Sequence, residues 1–354
     1  MAGLSPAAGA RPWLAATSVH SRDASMAQIV GNAAAMCTHY PHLAFIVNFF
    51  DHHPLDARAL ARARSGGHPA VEGVQNAGMK TFFWKRTLTP ALLRARAVTL
   101  LWLVDSDIST HPSAFPLGNL AAVLEATSAT LIQPSIRAHV HGTHHNFLRT
   151  RLAHMSCVAT TARFVELQSP LFAADAWAAF HERVLSSVSD EDLADSDYGI
   201  DITWCAAVRD AFPRRPACLV VPGLPATHLN THTIERFMDT STVGKERSCA
   251  PTCKTLMRRF GRYFKNFTHD TGTCYGLSHG TPRGVTTETG RFSIGDYGEA
   301  RARAASPAAR LQSPPSGATA AGGSAISTNT SMENVWLGLT SLPSADRRAS
   351  GLVS

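Results

Sequence analysis

Hydrophobic positions alternate along the chain between short continuous runs and spaced helical patterns. His42–Phe50 (HLAFIVNFF) and Ala97–Val104 (AVTLLWLV) are near-continuous apolar runs rich in β-branched and aromatic residues. That is the signature of strands buried on both faces. Shorter runs predict strands over Trp13–Ser18, Gly78–Trp84, Ala129–Pro134, Phe164–Ser169 and Ala217–Val221. Helical spacing covers Ala24–Cys37, Leu55–Arg64, Thr89–Arg96, Phe115–Ala126, Ala173–Leu185 and Gly199–Phe212. Ser65, Gly66 and Gly67 end the second of these, and Pro90 opens the third. Alternating strands and helices predict an α/β fold: a Rossmann-like, mostly parallel sheet flanked by helices.

Composition narrows the class. With 354 residues, 44% hydrophobic and 17% charged, the chain can bury a large core and is neither collagen, coiled coil nor wholly disordered. Past about Gly290 the pattern fades into Ala, Ser, Gly and Pro, the composition of a disordered tail. The expected organisation is a disordered N-terminus over 1–11, a folded domain over 12–235, a basic Cys/His-containing extension over 236–290, and a tail over 291–354. No run of about 18 apolar residues predicts a membrane span, and Met1–Pro12 lacks the basic start and apolar stretch of a signal peptide. The chain therefore reads as soluble as written. A Golgi or secretory location stays open if an N-terminal anchor precedes this sequence.

The formal net charge is +7. Residues 300–354 carry five Arg against Glu333 and Asp346, so +3 of it belongs to the tail. The mildly basic remainder points away from nucleic acid as the partner of the core.

Seven cysteines at irregular spacing do not read as a disulfide framework, and Cys37, Cys157, Cys205 and Cys218 are expected as core thiols. Cys249, Cys253, His269, Cys274 and His279 form a candidate zinc cluster. The intervening Lys254, Arg258, Arg259, Arg262 and Lys265 alternate with Phe260, Tyr263, Phe264 and Phe267. That segment supports an alternative, non-enzymatic reading as a zinc or nucleic-acid binding element. It reads equally as an amphipathic helix packed on the main domain. His139, His141, His144 and His145 crowd one segment without metal-ligand spacing and read as a solvated loop. Gly276–Gly280 fits G-x-S-x-G, but no strong strand pattern precedes it, no clear helix follows, and the only His beyond Ser278 is its neighbour His279, which argues against a nucleophile elbow. Asn266 and Asn329 head glycosylation sequons, which matter only in a secretory chain.

The most specific chemistry is Asp105-Ser106-Asp107, directly after the strongest predicted strand. Ligands of open α/β sheets bind beyond the carboxyl ends of strands. Two aspartates one residue apart on a turning backbone can face one hard divalent cation such as Mn²⁺ or Mg²⁺. A polar turn would use the same residues.

TLLWLVDSDIST, LIQPSI, HHNFLRTR, RFVELQSPLFAADAW and YGIDITWC, in that order and followed by a late His, resemble a eukaryotic family of uncharacterised domains. These are labelled "lysine-ketoglutarate reductase trans-splicing related", and their pattern is similar to GT-A glycosyltransferases. The resemblance spans roughly Trp13–Thr233. It implies that Asp105 and Asp107 bind Mn²⁺ or Mg²⁺ and the diphosphate of a nucleoside-diphosphate sugar, with His228, or its competitor His232, as a third metal ligand. It implies Glu166 facing the acceptor or sugar, Asp201 as catalytic base, and Arg149 or Arg151 facing phosphate. The chain departs from the family pattern in the acidic Asp190–Asp197 stretch and in Tyr198 before Gly199.

Overall fold

The computed structural model describes residues 12–23, 25–51, 68–138, 157–197, 199–229, 251–265, 271–276, 285–287 and 290–292. Contacts divide the chain into units Met1–Arg310 and Leu311–Ser354, and every described residue belongs to the first. The expected N-terminal segment 1–11, the expected tail 291–354 apart from residues 291 and 292, the helix over Leu55–Arg64, the histidine-rich stretch and the sequon asparagines lie outside the described residues.

The chain opens with β1 (Trp13–Val19), α1 (Met26–His39), β2 (Leu43–Phe49) and β3 (Val71–Gln75). Then come α2 (Lys80–Thr87), α3 (Pro90–Ala95), β4 (Leu100–Leu103), α4 (Leu117–Thr127) and β5 (Leu131–Ala138). The second half holds β6 (Cys157–Ala162), β7 (Leu171–Ala173), α5 (Ala174–Arg183), α6 (Asp190–Asp195), α7 (Ile200–Ala211) and β8 (Cys218–His228). Last are α8 (Pro251–Lys265), β9 (Thr271–Gly276) and a small hairpin of β10 (Val285–Thr287) and β11 (Gly290–Phe292).

Nine strands form one sheet in the order β3-β2-β1-β4-β7-β5-β8-β6-β9. The pairs β3·β2, β2·β1, β1·β4 and β5·β8 are parallel, and only β7 and β6 run against the rest. The α/β architecture expected from the alternating pattern is the one observed. Order 3-2-1-4 puts a topological switch point between β1 and β4: the chain leaves β1 toward β2 and β3, then returns to pair on the other side. Clefts open at the carboxyl ends of strands at such points.

The continuous apolar runs are central strands. Phe45, Ile46, Val47, Leu101, Trp102 and Leu103 are all at most 2% exposed. The aromatic core is built around Phe172, whose ring centroid lies 5.3 Å from Trp177 and 5.5 Å from Trp204. Three buried indole N–H groups have partners: Trp102 donates to Ser169 Oγ, Trp177 to the Leu88 carbonyl and Trp204 to the Val165 carbonyl. This removes the desolvation penalty of burying them.

Three expectations are corrected. Gly78–Trp84 is not a strand: α2 begins at Lys80, and Thr81, Phe83 and Trp84 are its buried face. Gly78 stands at φ +113°, and a Cβ there would come within 2.9 Å of the Ala194 side chain, so the turn into α2 needs glycine. Phe164–Ser169 is irregular, lying between β6 and β7. Its backbone groups are satisfied by side chains and neighbouring loops instead of a ladder: Gln133 Oε1 accepts from the Glu166 amide, and the Gln168 carbonyl accepts from the Asp105 amide. Finally, Cys205 and Cys218 are not free thiols but a disulfide joining α7 to β8, with Cα atoms 5.6 Å apart. Cys37 is the buried free thiol expected, and burial pushes its pKa up to about 12.

The extension contributes to the same unit. β9 pairs with β6 at the sheet edge, and α8 packs on α7 and α6. α8 breaks at Phe260 (φ −125°, ψ 30°), and it buries Leu256 and Tyr263 while exposing Lys254, Arg258, Arg259 and Arg262. This is the amphipathic-helix reading of that segment. Cys253 is disulfide-bonded and so is not available as a zinc thiolate. Cys249, His269 and His279 lie outside the described residues.

Candidate functional site

The acidic turn sits where the topology opens. Asp105 follows β4 at the switch point, beside a cleft lined by Thr17, Gln28, Val104, Asp105, Ser106 and Leu229. Thr17 Oγ1 is buried there and has no hydrogen-bond partner among the described residues. The end of β2, on the far side of β1, carries another acid. Asp51, 6% exposed, accepts hydrogen bonds from the Ser21 amide (2.9 Å) and hydroxyl (2.5 Å), with His20 Nε2 at 3.4 Å. Asp51 follows LAFIVNFF as Asp105 follows LLWLV, so the same sequence signal marks both.

Backbone pairing, not chance proximity, brings Asp107 to His228. The loop after Asp107 pairs with the end of β8: the Ser109 amide donates to the Thr227 carbonyl (2.9 Å), and the Leu229 amide donates to the Asp107 carbonyl (2.7 Å). Ile108 and His228 form an isolated antiparallel bridge. His228 Nε2 then lies 3.2 Å from Asp107 Oδ2, with both side chains about 15% exposed.

Asp105 has a partner that the sequence did not reveal. Lys80 Nζ, at the start of α2, lies 2.5 Å from Asp105 Oδ1. Burial opposes the charge on Lys80, but Asp105, Asp197 and Asp107 together outweigh it and raise its pKa. Burial likewise raises the pKa of Asp105, against the pull of Lys80 and with the added repulsion of Asp107 and Asp197. Asp197 belongs to the acidic stretch that departs from the family pattern. It is 6% exposed, and its Oδ1 accepts from the Thr81 hydroxyl at 2.6 Å, in the first turn of α2. That stretch is therefore in part a mount for Lys80, which no local pattern around Gly78-Met79-Lys80 announces.

Two further acids complete the cluster. Glu166 is clamped on the irregular segment by the Gln133 and Trp204 contacts described above. Burial pushes its pKa up to about 8, helped by the Asp201 and Asp105 carboxylates and opposed by Lys80 and His228. Asp201, in the first turn of α7, is pushed up to about 7, chiefly by burial. The Ile202 amide, 2.9 Å from Asp201 Oδ1, opposes that shift. Five carboxylates, one ammonium and one imidazole thus share a single electrostatic environment. Acids with pKa values near neutrality are suited to moving protons.

These shifts carry a pH dependence. A carboxyl whose folded pKa exceeds its unfolded value stabilises the fold below the unfolded value and loses that contribution as pH rises through the folded one. For Glu166 the window runs from 4.5 to about 8. In metal-free buffer the thermal midpoint is expected to fall across this window. Glu166→Gln is expected to flatten the slope; an unchanged slope contradicts the assigned burial.

The structure therefore brings Asp105, Asp107, His228, Glu166 and Asp201 into one region. Arg149, Arg151 and His232 lie outside the described residues. Among the described residues no three His, Cys, Asp or Glu side chains are already arranged as a metal cage. The donor set of two carboxylates and an imidazole nevertheless suits a hard divalent ion, which would compete with Lys80 for Asp105. Among the described residues, no helix is long and apolar enough to cross a membrane.

No family model matches the chain, including the family it resembles in sequence. No curated protein matches it either. Solved structures with partial likeness include glucosyl-3-phosphoglycerate synthase from Mycobacterium tuberculosis with Mg²⁺ and UDP (TM-score 0.38, 12% identity, 71% of this chain and 80% of that one). Another is the mannosyltransferase PcManGT from Pyrobaculum calidifontis with GDP-Man and Mn²⁺ (TM-score 0.42, 14% identity, 75% and 67%). A third is GalNAc-T7 with UDP, GalNAc and Mn²⁺ (TM-score 0.43, 9% identity, 72% and 50%).

Proposed function

We propose that this chain is a GT-A-type transferase that moves a sugar from a nucleoside-diphosphate sugar to an acceptor hydroxyl with the help of Mn²⁺ or Mg²⁺. One observation carries the reading. At the switch point of the sheet, Asp105, Asp107, His228 and Lys80 meet two acids of raised pKa, Glu166 and Asp201.

Asp105, Asp107 and His228 would hold the divalent ion, which supplies charge neutralisation of a diphosphate leaving group. Lys80 is the internal cation of the same cluster. It holds Asp105 in place, and it can turn toward a phosphate oxygen when Asp105 is otherwise engaged. Arg149 and Arg151 are the further phosphate-facing cations of this reading. The two acids divide the proton work by their environments. Asp201, with the lower pKa of the pair, is the base that accepts the acceptor's hydroxyl proton. Glu166, with a pKa of about 8, stays largely protonated at neutral pH and donates a hydrogen bond to the bound sugar.

The Cys205–Cys218 disulfide supports folding in an oxidising compartment, since such bonds are rare where thiols are kept reduced.

The test is a screen of nucleoside-diphosphate sugars for Mn²⁺-dependent nucleotide release. Asp201→Asn is expected to lower turnover by roughly 10²–10⁴-fold while leaving nucleotide affinity intact. Full activity in Asp201→Asn removes it as the base. Absence of release from every donor, with or without Mn²⁺, overturns the transferase reading.

A further inference from the structure

A second cleft lies outside the carboxylate cluster, between α7, α8 and the segment after β6. Its lining includes Arg163, Arg209 and Arg262, with Asp210 and Tyr263. Ile202, Ala206 and Arg209 stand at i, i+4 and i+7 on α7, so one face of that helix forms one wall. Arg262 and Tyr263 come from α8, past the break at Phe260.

The charge in this cleft is unbalanced. Arg262 Nη2 is held by Asp210 Oδ2 at 2.7 Å, and the Tyr263 hydroxyl donates to the same oxygen at 2.9 Å. Asp210 and Tyr263 thereby fix the Arg262 guanidinium and leave most of its N–H groups free to donate. Among the described residues, neither Arg163 nor Arg209 has a carboxylate within ion-pair distance. Three guanidinium groups from three separate elements therefore surround one space that holds a single carboxylate.

We infer that this cleft binds a tetrahedral oxyanion, the phosphate or sulfate group of an esterified ligand. Guanidinium forks match such oxygens, and donors arriving from three directions suit a group that offers three acceptors better than a planar carboxylate. The cleft encloses about 110 Å³, which is well below the range of sites that enclose whole small molecules. It accommodates one such group, with the rest of the ligand lying outside. The inference stands on the cleft and does not rest on the transferase reading.

The test is calorimetric titration of the full chain with inorganic phosphate, with sulfate and with acetate, at one ionic strength. Saturable binding of phosphate, sulfate or both is expected. Arg163→Ala/Arg209→Ala is expected to weaken it at least about tenfold, because each lost charged hydrogen bond is worth that much. Both arginines are exposed, so the variant should keep its thermal midpoint. Arg22→Ala, elsewhere on the surface, should bind as the wild type does. Phosphate binding alone identifies a phosphate ester, and sulfate binding alone a sulfate ester. Absence of saturable binding, equal binding of acetate, or binding indifferent to the double variant overturns the inference.

Discussion

Asp105→Asn is expected to destabilise the protein by about 3 kcal/mol, the scale of breaking one side of a largely buried ion pair. Lys80 and Asp105 are 14% and 21% exposed and 2.5 Å apart, so solvent can replace little of what the ammonium loses. Lys80→Met should cost a similar amount, because Asp105 would then face Asp107 and Asp197 without a counter-charge. The double variant Lys80→Met/Asp105→Asn should recover much of the loss, since no uncompensated charge stays buried. Denaturant unfolding of the four proteins closes the double-mutant cycle. Strict additivity of the two single losses would mean that the pair is not coupled, contrary to the geometry. Mn²⁺-dependent nucleotide binding is expected to vanish in Asp105→Asn and, in a further variant, in Asp107→Asn. Loss of binding in Asp107→Asn, whose partner His228 lies at 3.2 Å, is the cleaner functional result because Lys80 keeps its carboxylate.

Trp204→Ala is expected to cost about 3–5 kcal/mol, the range for deleting a fully buried aromatic side chain. Its ring is 0% exposed and packs edge-on against Phe172 and Phe180. Its indole N–H also holds the Val165 carbonyl at 2.7 Å, one residue before Glu166. Trp204→Phe separates the two contributions. It keeps most of the volume but strands that carbonyl, at a cost of about 1–3 kcal/mol. Unfolding midpoints measure both variants. A loss for Trp204→Phe as large as for Trp204→Ala would show that the hydrogen bond, not the packing, dominates. A negligible loss for Trp204→Ala would contradict the core as described.

The frame of the molecule was legible because its central strands are fully buried. A run such as LAFIVNFF, or LLWLV followed by an aspartate, leaves little choice of structure or of which end faces the cleft. The element after Gly78 was misread because Phe82, Phe83 and Trp84 are β-formers. Tertiary packing of one helical face against the core overrode that propensity. Strand β3 escaped notice because VEGVQ is short and carries a glycine and a glutamate, as an edge strand tolerates. The disulfide joins two cysteines that each look like core residues, so nothing local announces it.

At the site, Asp105 and Asp107 are marked by their place directly after a buried strand, whereas Glu166, Asp201 and His228 were singled out only through the family resemblance; the structure places all five in one region. The residues that join them through distant contacts carry no local signal. Lys80 reaches Asp105 across 25 positions, and Asp197 reaches Thr81 across 116. Only the folded chain shows that the acidic turn is held by an internal cation.

The most direct measurement is calorimetric titration of the wild-type chain with UDP and with GDP, in the presence of Mn²⁺ and in its absence. Saturable binding of one nucleotide that requires Mn²⁺ and disappears in Asp107→Asn is the predicted result. Binding of neither nucleotide with Mn²⁺, or binding equally strong with Mn²⁺ withheld and Asp107 replaced, contradicts the account.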